Sequence, residues 1–286
     1  MKTLFWNIGK KLSDEKLNLI EEAISSESPD IFCVAEGSHS KINCQKIMDV
    51  FEKSGYSCYY SPLFYLNEKL KLNYKYKSNG LKIFIKDENI SNTPFSFSLQ
   101  RQDGRIIALK TFVNFLPTTF IFLHNMSKSG NREVTLEQTE FIGSLSDMLK
   151  IGNPSSATER IIIIGDFNLE PWDNVLRHKK YLSTNFFRIH NSIIQRSENT
   201  KNFFNPLAEL IFKSNNENLG GTYYSDSSGW ALFDYVLFDT KESDITYEII
   251  TEFSGGSRLL NYDTEINKSF LHNDLDHLPI TTKFNS

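Results

Sequence analysis

Short apolar runs alternate with amphipathic stretches in the first part of the chain. Residues 3–8 (TLFWNI) and 30–37 (DIFCVAEG) are almost wholly apolar and predict two buried strands. Between them, residues 13–28 (SDEKLNLIEEAISSES) predict a helix, because Ser13 is a suitable N-cap and two acidic residues follow it. Its apolar side chains recur on one face, at Leu17, Ile20, Ala23 and Ile24. Pro29 is expected to end the helix, so the chain begins β-α-β.

The remaining chain continues this alternation. Further strands are predicted at 80–88 (GLKIFIKDE), 104–113 (GRIIALKTFV), 118–125 (TTFIFLHN), 161–165 (IIIIG), 230–239 (WALFDYVLFD), 245–250 (ITYEII) and 279–284 (PITTKF). An apolar stripe in residues 132–150 predicts a second long helix, and residues 202–213 (NFFNPLAELIFK) are compatible with a short one. The rest of 173–222 has no clear pattern. Because we see no repeat, low-complexity tract or linker, we expect residues 1–286 to form a single α/β domain.

Composition narrows the class of protein. The chain is 40% hydrophobic and 23% charged, with a net charge of −4, which excludes a basic nucleic-acid coat protein. A local phosphate-binding cleft stays open, since a bound cation can supply positive charge. Three cysteines, an odd number without zinc-site spacing, favour reduced intracellular thiols. The first residues lack a signal-peptide core and no apolar run approaches the roughly 20 residues that span a bilayer, so we expect a cytoplasmic protein.

Polar residues stand where the predicted strands end. They are Asn7, Glu36, His124, Asp166, Asn168, Asp234, Asp276 and His277. Ligand sites of open sheets gather at the carboxyl ends of strands, so we expect these side chains to lie together. In the stretch IIIIGDFN, Asp166 and Asn168 are two apart and should point to one side of an extended chain, with Phe167 directed into the core.

Carboxylates and amides without cysteine make an oxygen-rich site that suits Mg²⁺ or Mn²⁺ rather than zinc. Histidines beside such an ion can transfer protons near neutral pH, and together these groups can hydrolyse a phosphate ester. Taken singly, each residue has a structural explanation: Asn7 could bond a neighbouring strand, Asp166 and Asn168 could form a turn, and Asp276 with His277 could be a surface pair. Asp234 lies in an apolar strand and needs a partner, for which His277 is the candidate.

Seven segments in order, LFWNIG, PDIFCVAEG, DGRIIALKTF, FLHNMS, IIIIGDFNLEP, LFDYVLFD and LDHLPI, resemble the endonuclease/exonuclease/phosphatase superfamily from residue 3 to residue 284. The resemblance implies a four-layer α/β sandwich of the DNase-like kind, in which two packed mixed β-sheets are flanked by helices. It also implies that Glu36 is the main metal-binding carboxylate, with Asn7 and Asp276 beside the metal.

The same resemblance assigns roles to the other strand-end residues. His277 matches the general base, and Asp234 matches the aspartate that fixes its tautomer. Asp166 and Asn168 match the pair that orients the attacking water and the scissile phosphate. His124 matches a histidine that contacts the phosphate or protonates the leaving group in the DNase-like branch. Arg105 occupies a position often held by arginine there, with either a structural or a substrate role.

Two departures leave the branch, and so the substrate, open. Leu275 stands where the family commonly has serine, and Leu232 where it commonly has arginine. Trp172 is a candidate for substrate stacking, although it could equally be core. Six lysines between residues 65 and 86 interleave with tyrosines, which suggests either a nucleic-acid patch or, as we prefer, an edge strand kept soluble by lysine.

We therefore expect an Mg²⁺- or Mn²⁺-dependent phosphoric ester hydrolase, specifically a nuclease that cuts DNA or RNA phosphodiester bonds. The alternative is a phosphatase for a small phosphorylated molecule such as a nucleotide or a phosphoinositide. A third hypothesis is a catalytically silent binding module, which the intact set of residues disfavours. Nucleic acid is the expected partner as substrate. Endonuclease or exonuclease action, oligomeric state and the number of metal ions stay open.

Overall fold

The structure is a computed structural model. It describes residues 1–37, 40–60, 80–92, 95–100, 104–127, 133–151, 159–186, 202–207, 221–225, 229–239, 244–261, 269–270 and 275–285. The helices are α1 (Asp14–Glu27), α2 (Lys41–Lys53), α3 (Asp87–Asn92), α4 (Leu136–Ile151) and α5 (Asn174–Arg177). The strands are β1 (Lys2–Asn7), β2 (Ile31–Ala35), β3 (Tyr56–Tyr60), β4 (Lys82–Lys86), β5 (Ser96–Gln100), β6 (Ile106–Val113), β7 (Leu116–His124), β8 (Arg160–Asp166), β9 (Phe203–Phe204), β10 (Tyr223–Ser225), β11 (Gly229–Ala231), β12 (Asp234–Asp239), β13 (Ile245–Ile249), β14 (Leu260–Asn261), β15 (Ser269–Phe270) and β16 (Ile280–Phe284).

Two six-stranded mixed sheets form the centre of the fold. The first has the order β13-β16-β1-β2-β4-β3, and the second has the order β5-β6-β7-β8-β12-β9. Each contains one parallel pair, β1 with β2 and β7 with β8, among antiparallel neighbours. Because these four strands run the same way within each pair, the carboxyl ends of each pair lie at one edge of its sheet.

The isoleucine run of β8 explains how the sheets pack. Ile162 and Ile164 belong to the large core that also contains side chains of the first sheet and helices α1 and α2. Ile161 and Ile163 point to the other face, into a second core with Phe141 and other side chains of α4. All four isoleucines are buried, which stabilises the fold by about 1.5–3 kcal/mol for each side chain. The result is the expected four-layer α/β sandwich of two packed sheets flanked by helices.

Helix α1 follows the sequence-based expectation at its start. Ser13 is the N-cap and accepts a hydrogen bond from the Lys16 backbone N–H at 3.2 Å. The helix ends at Glu27, where Ser28 adopts a left-handed conformation and its N–H donates to the Ile24 carbonyl at 2.9 Å. Its buried face differs in part from the prediction, because Lys16 and Leu19 are fully buried whereas Leu17 is only partly buried.

Two predicted elements are corrected. Phe203 and Phe204 form strand β9 rather than the start of a helix, because pairing of Phe204 with Phe238 satisfies the outer edge of β12. The predicted strand 230–239 is interrupted between β11 and β12. There, the Leu232 N–H donates to a Glu170 carboxylate oxygen at 3.2 Å instead of to a carbonyl of a neighbouring strand. Residues 208–213 lie outside the described residues. No helix in the described ranges is long and apolar enough to cross a bilayer.

Candidate active site

Strands β1 and β2 end side by side in two tight turns. The backbone of Glu36 is left-handed (φ 60°), as is that of Gly9 (φ 67°). Hydrogen bonds join the turns: Ile8 N–H donates to the Ala35 carbonyl at 3.1 Å, and Gly37 N–H donates to the Gly9 carbonyl at 2.8 Å. A β-carbon on Gly9 would lie 2.7 Å from Asp276 Oδ1, so glycine is needed for this close approach. The turns thereby bring the ends of β1 and β2, with Asn7 and Glu36, side by side, and Asp276 lies against Gly9.

Asp166 and Asn168 do lie together at the end of β8, but not because the chain is extended there. Asn168 is left-handed (φ 49°), and its N–H donates back to Asp166 Oδ1 at 2.8 Å. Its side-chain amide donates to Asp166 Oδ2 at 3.0 Å and to the Asn125 carbonyl at 3.1 Å. Phe167 is buried, as expected, and stacks on Tyr235. A turn, rather than the alternation of a strand, therefore brings the two side chains together.

Gln138, which we did not single out from the sequence, supports this turn. Its side-chain amide donates to the carbonyls of Asn168 at 2.8 Å and Met126 at 3.0 Å. Gln138 also forms a reciprocal cap with Thr135, whose hydroxyl accepts from the Gln138 N–H at 3.2 Å. The local signal was present, since Thr-Leu-Glu-Gln before an apolar stripe has the pattern of a capping box.

Asp234 and His277 are paired, as the burial of Asp234 required. His277 Nδ1 lies 2.8 Å from Asp234 Oδ2, and both side chains are almost fully buried. On the other side of the ring, His277 Nε2 lies 3.3 Å from Asn7 Nδ2. Because Gly9 N–H donates to Asn7 Oδ1 at 3.0 Å, the Asn7 amide is oriented with its NH₂ toward the histidine. These neighbours favour a proton on Nδ1 and a lone pair on Nε2.

Two further residues that sequence reasoning missed hold this pair. The Thr222 hydroxyl accepts from the Phe233 N–H at 3.1 Å and from the Asp234 N–H at 2.9 Å. The Tyr223 ring stands 4.7 Å from the His277 ring, and the two residues form an isolated antiparallel bridge. The segment GGTYYS carried no chemical signal that would distinguish these two residues from strand formers.

Asp166 is the centre of the cluster. Its Oδ2 accepts from Asn7 Nδ2 at 3.0 Å and lies 3.7 Å from His124 Nε2 and 3.9 Å from His277 Nε2. His124 Nε2 also lies 3.5 Å from Glu36 Oε1. The structure thus brings all eight predicted strand-end residues to one place, across both sheets.

Comparison with known proteins shows the family of the chain. Residues 4–248 match the endonuclease/exonuclease/phosphatase family. The chain belongs to this family. No curated protein sequence matches it.

Solved structures of the same fold span this chain completely. An AP endonuclease from Archaeoglobus fulgidus has a TM-score of 0.58 at 13% identity and is itself covered at 100%. The human Nocturnin catalytic domain with bound sulfate has a TM-score of 0.54 at 16% identity and is covered at 93%. D. rerio TDP2 complexed with a single-strand DNA product has a TM-score of 0.54 at 13% identity and is covered at 99%. The structural similarity establishes the DNase-like fold, and sequence identities this low leave the substrate open.

The cluster around Asp166 collects charges that perturb one another. Burial raises the pKa of Asp166 to about 7, and the nearby Asp234 charge adds to this effect. Burial by itself would lower the pKa of His277, but the carboxylates of Asp234 and Asp166 outweigh burial and raise it to about 10. Without a cation, the cluster therefore retains protons at neutral pH. A group that adds positive charge here would compete with those protons.

Two sets of residues could hold a metal ion. Among the described residues, Asp166, Asp234 and His277 offer one ligand atom each within 4.8 Å of one another. However, His277 Nδ1 and Asp234 Oδ2 already hydrogen-bond to each other. Asp234 Oδ1 and Asp276 Oδ1 are both buried without a hydrogen-bond partner among the described residues, but only Asp276 is not already paired with a histidine. Oxygen donors from Glu36, Asn7 and Asp276 suit Mg²⁺ or Mn²⁺, so we favour this second set.

The residues at the margin of the site have varied positions. Arg105 donates from Nη1 to the carbonyls of His124 and Asn125, both at 3.1 Å, and so supports the end of β7. Trp172 is 54% exposed, which excludes the core alternative. Lys82 is buried within β4, an inner strand, so the solubilising role expected for the lysines of 65–86 is wrong for this residue. Residues 65–79 lie outside the described residues.

Proposed function

We propose that residues 1–286 act as one catalytic domain that hydrolyses phosphodiester bonds of DNA or RNA with Mg²⁺ or Mn²⁺. The observation that carries the proposal is the buried chain of contacts Asp234–His277–Asn7–Asp166–Asn168, with Glu36 and Asp276 beside it. Such a chain combines an oriented base with oxygen ligands for a hard cation. Two similar structures, an AP endonuclease and TDP2 with a single-strand DNA product, support nucleic acid as the substrate.

His277 is the proposed general base. In the neutral ring, which the positive charge of a bound cation would favour, Nε2 faces the cluster with a lone pair and Nδ1 holds its proton against Asp234 Oδ2. Nε2 can therefore take a proton from an attacking water while Asp234 stabilises the resulting imidazolium. A contribution of about 10²–10⁴ in rate is usual for such a base.

Asp166 and Asn168 are proposed to orient the water and the phosphate. Their side chains are held by each other, by Asn7 and by the Asn125 carbonyl, so they lose little freedom when substrate binds. His124, between Glu36 and Asp166, is placed to contact a phosphate oxygen or to protonate the leaving group. Arg105 acts in this scheme through the backbone of β7, and a direct substrate contact stays a prediction.

Glu36, Asn7 and Asp276 would hold the metal ion. The ion would supply positive charge that neutralises the carboxylates and the phosphate. The unpartnered Asp276 Oδ1 and the close approach allowed by Gly9 support this donor set.

The test is hydrolysis of five substrates with Mg²⁺, Mn²⁺ or EDTA: supercoiled plasmid, single-stranded DNA, structured RNA, a nucleoside monophosphate and a phosphoinositide. His277→Ala is the test variant. His178→Ala is the matched control, because His178 is exposed and its Nδ1 accepts a hydrogen bond from the Lys180 N–H.

We expect metal-dependent cutting of a nucleic acid that His277→Ala abolishes and His178→Ala retains. Binding of the cut polymer should weaken steeply with salt, since counterions are released from the phosphates. Phosphate release from a small molecule alone would contradict the nuclease assignment and identify a phosphatase. Absence of turnover on all five substrates would contradict the proposed activity.

A further inference from the structure

Two buried lysines stand behind the proposed metal site. Lys16 on helix α1 and Lys82 on strand β4 are each 1% exposed. Burying an ammonium group costs several kcal/mol unless hydrogen bonds and charges compensate. Methionine or leucine would fill such positions without this cost, so the ammonium groups themselves call for an explanation.

Both ammonium groups bind carbonyls of the two turns that carry proposed ligands. Lys16 Nζ donates to the carbonyl of Ile8, the residue after Asn7, through a short hydrogen bond, and to the Lys11 carbonyl at 2.7 Å. Lys82 Nζ donates to the carbonyl of Glu36 itself at 2.8 Å and to the Gly80 carbonyl at 3.4 Å. Each lysine thus reaches a peptide at or next to a proposed metal ligand.

The turns need such support because their conformations are unusual. Glu36 and Gly37 are both left-handed, with φ of 60° and 69°. A left-handed conformation is unfavourable at a non-glycine residue such as Glu36 and persists only where surrounding contacts enforce it. The carbonyl of Glu36 lies beyond the end of β2 and has no place in the strand ladder. The Lys82 ammonium fixes that carbonyl and with it the direction of the Glu36 side chain.

We propose that Lys16 and Lys82 are positioning residues of the metal site, each holding one ligand-bearing turn, Asn7–Ile8 and Glu36–Gly37, in the geometry that the cation requires. This inference rests on the proposed metal set of Glu36, Asn7 and Asp276. The two lysines touch no substrate, and they act through the carbonyls of Ile8 and Glu36.

The experiment measures the affinity of the whole chain for Mn²⁺ alone by isothermal titration calorimetry at pH 7. Lys82→Met and Lys16→Met keep the apolar stem and remove the donor. Lys86→Met is the matched control, because Lys86 lies on the same strand and pairs with Glu88 at 2.7 Å near the surface. Glu36→Gln tests the metal set itself. Near-UV circular dichroism and urea unfolding confirm that each variant is folded before titration.

We expect Lys82→Met and Lys16→Met each to weaken Mn²⁺ binding by about 10-fold or more, as is usual when a group that orients a metal ligand is lost. Lys86→Met should stay within twofold of the wild type. If Lys82→Met does not fold, Lys82→Gln retains a donor NH₂ group without the charge and should show a smaller loss.

The outcomes separate this inference from the proposed function. Wild-type affinity in the folded Lys16 and Lys82 variants, together with loss of binding in Glu36→Gln, would overturn the positioning role and leave the metal site intact. Wild-type affinity in Glu36→Gln would instead overturn the metal set on which both rest. A stability loss with unchanged Mn²⁺ affinity would show that the lysines serve the fold alone.

Discussion

Two glycine-to-alanine substitutions should change stability in opposite directions. Gly165 precedes Asp166 at the end of β8 and pairs with Leu123 of the parallel strand β7. A β-carbon at Gly165 would lie 2.0 Å from the Leu123 carbonyl oxygen, and 2.9 and 3.0 Å from its carbonyl carbon and nitrogen. All three are backbone atoms in the middle of a sheet, so no side chain can rotate to make room.

The magnitude follows from the separation that alanine would force. Ordinary contact begins at 3.4 Å, so β7 and β8 must move apart locally by about 1.4 Å. A ladder hydrogen bond of about 2.9 Å does not survive such a movement, and each buried backbone group left unsatisfied costs roughly 1–3 kcal/mol. With two such groups, we expect Gly165→Ala to lower the free energy of unfolding by about 2–6 kcal/mol.

Gly143 is the matched control. It lies inside helix α4, and a β-carbon there would meet Tyr181 Cε1 at 3.6 Å, which is an ordinary van der Waals contact. Alanine restricts the unfolded chain more than glycine does and fits the helix, so Gly143→Ala should raise the free energy of unfolding by about 0.5–1 kcal/mol.

The assay is urea unfolding of both variants and the wild type, followed by tryptophan fluorescence and far-UV circular dichroism. Mn²⁺ affinity is measured in parallel, because displacement of Gly165 also displaces Asp166. If Gly165→Ala stays within 1 kcal/mol of the wild type, the steric argument for glycine before this aspartate is wrong.

Three further predictions concern the site. Asp234→Asn should lower kcat by about 10²–10⁴-fold with little change in KM, because the tautomer of His277 is no longer fixed. Steady-state kinetics on the nucleic acid that the wild type cleaves measure both constants. An unchanged kcat would remove Asp234 from the mechanism. In EDTA, folding raises the pKa of Asp166 from 3.8 to about 7 and that of His277 from 6.5 to about 10. The stability that each proton contributes is therefore complete below the lower value. It is lost as pH rises through the higher value. His277→Gln should therefore reduce the fall in urea stability between pH 6.5 and pH 10, and an identical slope would contradict the raised pKa of His277. Trp172→Ala should change the free energy of unfolding by less than about 0.5 kcal/mol, since the side chain is half exposed, but should raise KM for nucleic acid; equal KM values would exclude substrate stacking.

Most of the helices and strands, and the chemical character of the site, could be predicted from the sequence. Wholly apolar runs such as residues 161–164 identify strands that are buried on both faces. Successive side chains of a strand point to opposite faces of the sheet, so a run without polar residues presents an apolar surface on both. Polar residues directly after such runs, Asp166 among them, mark strand ends, since an ionised group inside the run would be too costly. The order of these segments was enough to predict the family and the fold.

Which strand ends meet depends on the packing of the folded chain. Asp234 and His277 are 43 residues apart, and Asn7 and Asp166 are 159 apart, so their contacts depend on how the two sheets pack. Local periodicity carries no information on that packing, just as it failed to show that Phe203 would complete the edge of β12.

Support by polar residues was equally hidden from the sequence. Because lysine side chains are usually exposed, the sequence predicts exposed side chains at Lys16 and Lys82, yet both are buried. Their partners are main-chain carbonyls of two left-handed turns, which exist only after β1 and β2 have paired and the sheet has formed. A buried ammonium group is stable only where such acceptors converge, and that convergence is a property of the folded chain rather than of any segment.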